Sequence, residues 1–383
     1  MLEAPSQIAK ILDARRRAAR LSELYFSIYS LIAAMAHLTS FTVENFKRFE
    51  HFEMNNIGQF NLIVGDNNVG KTSVLEALLI DEDPEVFRQR LLTVLFKFRQ
   101  FTDITDSYLS YFVCRNKPDW ETNGKKISFD LLSSGQTINI IIDFKDKRQS
   151  DTTTGQARIF LFQISNEGKN LWATNGGGDP DRFLTPYIPL FLAYEHRLTK
   201  LYSDYVQMNT KIDDELIDHL KSIIPTIKSI IINPFATSNK DNPVLFINRT
   251  DTETALPLGF FGDGAIKLFR ILIEIAANKG KRLMIDEIDA GVHIQHFYGF
   301  WKTIIQFAAK LEVQLFMTTH NWECLQVFKE VLEEEEMQQY QEKARCFTLD
   351  ELPDGFVSSY AYTFEKFEYA IENGIDLRKV VRL

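Results

Sequence analysis

FNLIVGDNNVGKTSVLEALL, residues 60–79, sets an apolar strand, a glycine-bounded loop and an amphipathic helix in immediate succession. Gly65, Gly70, Lys71 and Thr72 fill the pattern GxxxxGK[ST], in which loop amides and a helix N-terminus form a concave site for phosphate. The glycines let the loop curl and bring backbone close to the anion, Lys71 is spaced to reach the β- and γ-phosphates, and the Thr72 hydroxyl suits Mg²⁺. An eight-residue pattern also arises by chance. Here NLIV at 61–64 reads as a buried strand, and Val74, Leu75, Ala77 and Leu78 give the following helix an apolar face, so the pattern sits in the order it needs. Gly65, Asp66, Asn67, Asn68, Val69, Gly70, Lys71, Thr72 and Ser73 are therefore the candidate contacts to ATP.

Outward from this loop, RLMIDE at 282–287 is a second short apolar strand, and it ends in two adjacent carboxylates. Asp286 is expected to order the Mg²⁺ shell and Glu287 to polarise an attacking water. Between the two strands, Gly262, Asp263 and Gly264 open a helix whose apolar face is Ile266, Leu268, Phe269, Ile271, Leu272 and Ile275. Its N-terminal amides attract phosphate, although Asp with Gly is equally an ordinary turn or cap. VQLFMTT at 313–319 is a further strand, with His320 directly after it. NGGGDPD at 175–181 lacks a GK[ST] ending and reads as a linker.

The chain has 383 residues, enough for one large α/β domain with an insertion or for two domains. Its net charge of −9 and pI near 5.4 argue against wholesale coating of nucleic acid but allow a local basic patch. Cys114, Cys324 and Cys346 show no CxxC spacing, so reduced thiols and a cytoplasmic location are expected, with no metal–thiolate site. In the first 34 residues, Arg15, Arg16, Arg17 and Arg20 precede an apolar run at 25–36. That segment reads as an extension before Met35, as an amphipathic docking helix, or as a targeting sequence; the run is short for a membrane span.

Along the rest of the chain, the alternation in LTSFTVENF at 38–46 suggests an edge strand, followed by a second strand and a turn into residue 60. A helical stretch is expected from 84 to about 105, hairpin strands at 126–132, 137–144 and 157–164, and another apolar strand at 189–194. Beyond these come a helix at 213–224, strands at 227–232 and 244–248, a solvated acidic helix face at 333–336, a hairpin around PDG at 353–355, and a C-terminal helix. No sustained heptads lie between Gly65 and Gly262, which excludes long coiled-coil arms.

VENFKRFE at 43–50 together with 60–79 resembles the N-terminus of ABC-type ATPases of the RecF, SMC and OLD kind. The resemblance implies an α/β ABC-type P-loop ATPase head with a mixed β-sheet core, an antiparallel N-terminal β region, and a helical and β lid inserted at about 84–188. The head would run over 35–383. It also implies that an N-terminal element places Asn45 and Arg48 beside the nucleotide, with Lys47 read as a solvated charge. Gly262–Gly264 would stand in for the ABC signature and close on the γ-phosphate held by a second subunit. Asp289, Gly291 and His293 match the OLD-like run DE-x-[ED]-x-G-[LV]-H, His293 being equally a capping or core histidine, and His320 would be the γ-phosphate switch. The family's Mg²⁺-sensing Gln has no counterpart: Glu195, with His196 and Arg197, reads either as a weak substitute or as a helix cap. The implied protein is an ATP- and Mg²⁺-dependent ATPase acting as a homodimer, without the Toprim nuclease half of full OLD proteins. Its work would be to control a separately encoded effector, as in bacterial anti-phage defence, or to clamp DNA as RecF-like repair proteins do. A membrane transporter ATPase is the third reading, disfavoured because an LSGGQ signature is absent.

Overall fold

The computed structural model describes residues 37–81, 84–94, 126–133, 136–149, 157–166, 169–173, 184–190, 196–233 and 244–379. The first strands, β1 (Leu38–Phe46) and β2 (Phe49–Asn55), pair antiparallel, and β3 (Phe60–Gly65) leads into helix α1 (Lys71–Ala77). Helix α2 (Pro84–Thr93) follows, then β4 (Lys126–Ser133), β5 (Gln136–Gln149), β6 (Ala157–Asn166) and β7 (Lys169–Ala173). These strands form one antiparallel sheet in the order β2-β1-β4-β5-β6-β7. The inserted hairpins thus extend the N-terminal sheet. Accordingly β1 is an interior strand, with Val43 opposite Phe52 on one side and Phe129 on the other, which corrects the edge-strand expectation. Its alternation arises because one face is buried, Phe41 and Val43 inward, while Glu44 is exposed.

The rest of the chain builds a second large sheet and its surroundings. In chain order come β8 (Tyr187–Ile188), α3 (His196–Leu201, continued by a π-helical turn at Tyr202–Gln207), α4 (Thr210–Leu220), β9 (Ile227–Asn233), β10 (Val244–Arg249), β11 (Leu256–Pro257), α5 (Gly262–Ala277) and β12 (Arg282–Ile285). They continue with α6 (Phe297–Lys310), β13 (Gln314–Thr318), α7 (Trp322–Glu333), β14 (Ala344–Glu351), β15 (Val357–Thr363) and α8 (Phe364–Glu372). The strand order is β15-β14-β3-β13-β12-β8, parallel except for β15, and β9 to β11 make a separate small antiparallel sheet.

Both faces of this central sheet are covered, and so its strands are apolar at consecutive positions. Phe60, Leu62, Val64, Leu283, Ile285, Leu315 and Met317 face α5 to α8, while Ile63, Met284, Phe316 and Phe347 face α1 and the N-terminal sheet. Three buried amides tie the edges. Gln314 accepts from Leu38 N–H at 3.0 Å and donates to the Leu38 and Gly58 carbonyls at 2.8 and 2.7 Å, stitching β1 onto the core. Asn61 and Gln59 bridge β3 to the β13 side in the same way. Removing one such partner leaves buried polar groups unsatisfied at about 1–3 kcal/mol each.

Several expectations shift. Of the strand expected at 189–194, Pro189 and Leu190 are not in a strand and residues 191–194 lie outside the described residues; the strand that pairs with Met284 and Ile285 is Tyr187–Ile188, and Pro189 has no N–H to carry the ladder on. The acidic run at 333–336 is a helix end and turn, where Lys302 draws in Glu334 (2.7 Å) and Glu336. The hairpin around 353–355 and the C-terminal helix form as expected. Cys324 and Cys346 are buried, and burial pushes both thiols up, away from reactivity. Residues 1–34, the helix beyond residue 94, the 175–181 loop, Cys114 and Glu195 lie outside the described residues. No helix among the described residues is long and apolar enough to cross a membrane.

Candidate nucleotide site

Three parallel strands deliver their ends to one edge of the central sheet: β3 at Gly65, β12 at Asp286 and β13 at Thr318. Carboxyl ends of parallel strands are where α/β folds bind ligands. Gly65 and Gly70 have φ of 146° and 113°, values that side-chain-bearing residues rarely adopt. Space forbids a side chain as well, since a Cβ at Gly65 would lie 2.6 Å from the Leu349 carbonyl oxygen on β14. Asp66, Asn67 and Asn68 are exposed around the rim, and Val69 is buried beneath it. Lys71 is buried, and its Nζ donates to the carbonyls of Gly65 (2.9 Å) and Asp66 (3.1 Å). Burial lowers its pKa, opposed by the carboxylates of Glu287, Asp286 and Asp66. Ser73 sits half-buried one residue beyond Thr72.

Asp286 gathers three hydroxyls. Thr318 Oγ1 donates to it at 2.7 Å, Thr72 Oγ1 at 3.0 Å and Tyr187 OH at 3.2 Å. Thr72 from the loop and Asp286 from β12 thus meet as a hydroxyl and a carboxylate, a hard oxygen pair of the kind Mg²⁺ takes while keeping waters and phosphate oxygens for the rest of its shell. Next in the chain, Glu287 has φ of 46°, and its amide donates to Thr318 Oγ1 at 2.8 Å. Its carboxylate accepts from His320 Nδ1 at 2.7 Å, while the His320 ring stays largely exposed. Thr319 Oγ1 donates to Asp289 at 2.6 Å.

The loop's neighbours correct one expectation and refine others. Lys47 is not a solvated charge: its side chain is 8% exposed and ion-paired with Glu76, which is 1% exposed on α1. Lys47 sits, with φ of 54°, in the turn that joins β1 to β2. Arg48 donates to the Asn68 carbonyl and to Glu351, bracing the loop from outside, and Asn45 is buried with φ of 58° in the same bend. Gly262 and Asp263 are exposed at the N-terminus of α5; Asp263 and Gly264 lie against Gly291, and Gly264 also against Val292, in the loop after β12. His293 caps the turn at Ile294–His296, accepting from Gln295 N–H at 3.3 Å, which favours its capping role. Arg197 donates to the Thr185 carbonyl at 2.7 Å and pairs with buried Glu274.

Sequence reasoning missed Thr318, Tyr187, Lys267 and Arg378. Thr318 is signalled only by a hydroxyl residue ending an apolar strand, and Tyr187 by nothing local. Lys267 donates to the Glu287 carbonyl at 3.1 Å. Arg378 donates to the His320 carbonyl at 3.1 Å, is held by Asp376 through two hydrogen bonds, and lies over the Trp322 ring.

The AAA ATPase domain family matches residues 37–174 and 181–325. The chain belongs to that family. It is thus an ATPase, and its fold is that of an SMC-head-like P-loop ATPase. An ATP/GTP phosphatase of Helicobacter pylori is 24% identical over 375 residues, covering 88% of this chain and 98% of the relative. A DNA replication and repair protein RecF of Xanthomonas oryzae pv. oryzae is 28% identical over 153 residues, 39% of this chain and 38% of that one. Among solved structures, an SMC head bound to the C-terminal winged-helix domain of ScpA superposes with a TM-score of 0.51 at 12% identity. It covers 86% of this chain and 99% of its own. A Pyrococcus furiosus Smc head with an extended coiled coil gives 0.50 at 10% identity, covering 88% and 99%. At such identities the likeness concerns the fold.

Proposed function

We propose that this AAA ATPase is a nucleotide-driven dimer switch, the ATPase subunit of a two-component anti-phage system that holds or releases a separately encoded effector. The observation that carries the proposal is the convergence of Thr72, Asp286, Glu287 and His320 at one sheet edge, while Gly262 and Asp263 stand exposed on a different element. In this reading residues 65–73 bind the phosphates of ATP, with Lys71 leaving the loop carbonyls for the β/γ-phosphates. Thr72 and Asp286 would hold Mg²⁺, which would supply neutralisation of the phosphate charge when bound. Glu287 takes a proton from the attacking water, and His320, hydrogen-bonded to that carboxylate, orients it and faces the γ-phosphate. Gly262–Gly264 of a second copy close the site, and Arg48 and Asn45 line its flank. Hydrolysis then reopens the pair. A head of this kind acts through the populations of its open and closed states. The DEIDAGVH run, similar to OLD-like ATPases, is what favours a defence role. The partial RecF match favours a second reading, a DNA-repair clamp.

Glu287→Gln in ATP, purified by affinity from its native host, tests both. A general base contributes roughly 10²–10⁴-fold, so hydrolysis should fall by that order while a closed dimer accumulates, read by light scattering. Recovery of a stoichiometric partner protein supports the effector reading. Recovery of DNA alone, lost as salt rises, supports the clamp. A monomer in saturating ATP would rule out the sandwich.

A further inference from the structure

Helix α5 begins at Gly262–Gly264 and carries Lys267 a little over one turn later. The flanking positions Leu268, Phe269, Ile271 and Leu272 are buried apolar residues, and Lys267 is buried with them at 3% exposure. Lys267 is the first of three buried charged residues on this helix, with Arg270 (5% exposed) and Glu274 (1%) three and seven positions on, while the helix's other buried positions are apolar. Burial brings its pKa down to about 8, with Asp289 as the main opposing influence, Arg270 adding to the fall, and Asp286 and Glu287 also opposing it. Its hydrogen bond goes to the Glu287 carbonyl oxygen at 3.1 Å.

Glu287 needs holding. Its φ of 46° lies in the left-handed region, where an L-residue other than glycine persists only if its surroundings over-determine it. Thr318 Oγ1 accepts its amide N–H, and its carbonyl accepts from both Ala290 N–H (3.0 Å) and Lys267. The Thr318 and Ala290 contacts come from the strand edge and the local turn. The Lys267 contact alone comes from α5, the helix whose exposed first turn also lies against Gly291.

We propose that Lys267 is a positioning residue for hydrolysis, transmitting the position of the α5 N-terminus to the backbone of Glu287 in the same subunit. A second copy of this chain that docks its nucleotide on Gly262–Gly264 shifts or steadies α5, and Lys267 turns that into the aim of the Glu287 carboxylate. Each head's own base then becomes competent only when its signature is engaged, which ties the two sites of a dimer together. The inference rests on the assignment of Glu287 as the base and of Gly262–Gly264 as the signature.

The test compares wild type with Lys267→Met, Lys267→Gln and Glu287→Gln, measuring affinity for a non-hydrolysable ATP analogue, ATP-dependent dimerisation, kcat and thermal melting. Misaiming a catalytic group by about 1 Å costs roughly 10²-fold. Lys267→Met is therefore expected to bind the analogue within about threefold of wild type and to dimerise, while kcat falls roughly 30- to 100-fold with KM little changed. Lys267→Gln keeps a donor for the Glu287 carbonyl without the charge, so it should recover a substantial part of kcat. Unchanged kcat in Lys267→Met overturns the proposal, as does loss of analogue binding in step with kcat. A Gln variant no better than Met also overturns it, because the lysine then acts as a counter-charge to Asp289 and Asp286. If Lys267→Met does not fold, the Gln variant decides: wild-type-like dimerisation with kcat within about tenfold supports positioning, and kcat lower than that refutes it. Normal hydrolysis by Glu287→Gln would instead show that the base is misassigned, and the role of Lys267 would fall with it; an inactive Glu287→Gln beside an active Lys267→Met removes the Lys267 role alone.

Discussion

The β3–β12–β13 edge and the N-terminus of α5 are both rich in polar groups, yet they are finished to different degrees. At the sheet edge the polar side chains satisfy one another: Lys71 on loop carbonyls, three hydroxyls on Asp286, His320 on Glu287, and Arg378 on the carbonyl of His320. At the helix start Gly262 and Asp263 are open to solvent, and Phe260 beside them is 77% exposed. Buried polar groups must be paired inside the chain, whereas exposed helix amides wait on water or a ligand. The polar groups of the first region are largely paired within the chain, whereas the second leaves its first residues to solvent, where the proposed function would place a second copy.

The sharpest way to break that contrast is Lys71→Ala. Charge-assisted hydrogen bonds contribute about 1.5–3 kcal/mol each, so losing the two that Lys71 would make to the β/γ-phosphates should weaken ATP binding by roughly two to four orders of magnitude, measured by calorimetry. Unchanged affinity would remove the phosphate loop from the site. Gly262→Tyr probes the other region. A Cβ there meets nothing within 4 Å, so the fold should survive the left-handed strain of about 1–2 kcal/mol. The bulk would nevertheless block docking: ATP affinity of the single chain should stay unchanged while hydrolysis falls roughly 10²-fold, on the scale of losing one preorganised donor. Equal loss of binding would mean that the two regions are one. The smallest effect is expected from Thr318→Val, which leaves the Glu287 amide buried without its acceptor and Asp286 short of one donor. A stability loss of about 1–3 kcal/mol in chemical denaturation should accompany a kcat deficit of similar free energy. A stable variant with wild-type kcat would show that the edge is less mutually supported than its hydrogen bonds imply.

Most of the edge was legible because its parts are local. The phosphate loop is nine consecutive residues, Asp286 and Glu287 are adjacent, and His320 follows its strand directly, so pattern and position sufficed. The supporting residues were not legible, because each acts across long sequence separation. Tyr187 reaches Asp286 over 99 residues, and Arg48 reaches Glu351 over 303. Lys47 illustrates the limit well. In sequence it is a charge beside another charge and an aromatic, with every sign of a surface residue; only the tertiary structure pairs it with Glu76 on α1. Similarly, alternation in β1 showed that one face is buried but could not show that strands from residues 126–173 would extend its sheet.

By itself the sequence pointed to the family, the order of strand, loop and helix, and the candidate groups for phosphate, metal and water. Those follow from short-range backbone geometry and side-chain chemistry, which depend on neighbours in the chain. The tertiary structure alone decided which strand ends share an edge, that Thr318 serves both the Asp286 carboxylate and the Glu287 amide, and that a buried lysine on α5 touches the carbonyl of Glu287. Those pairings are set by sheet order and by the packing of two cores on opposite faces of one sheet, and no local pattern encodes them.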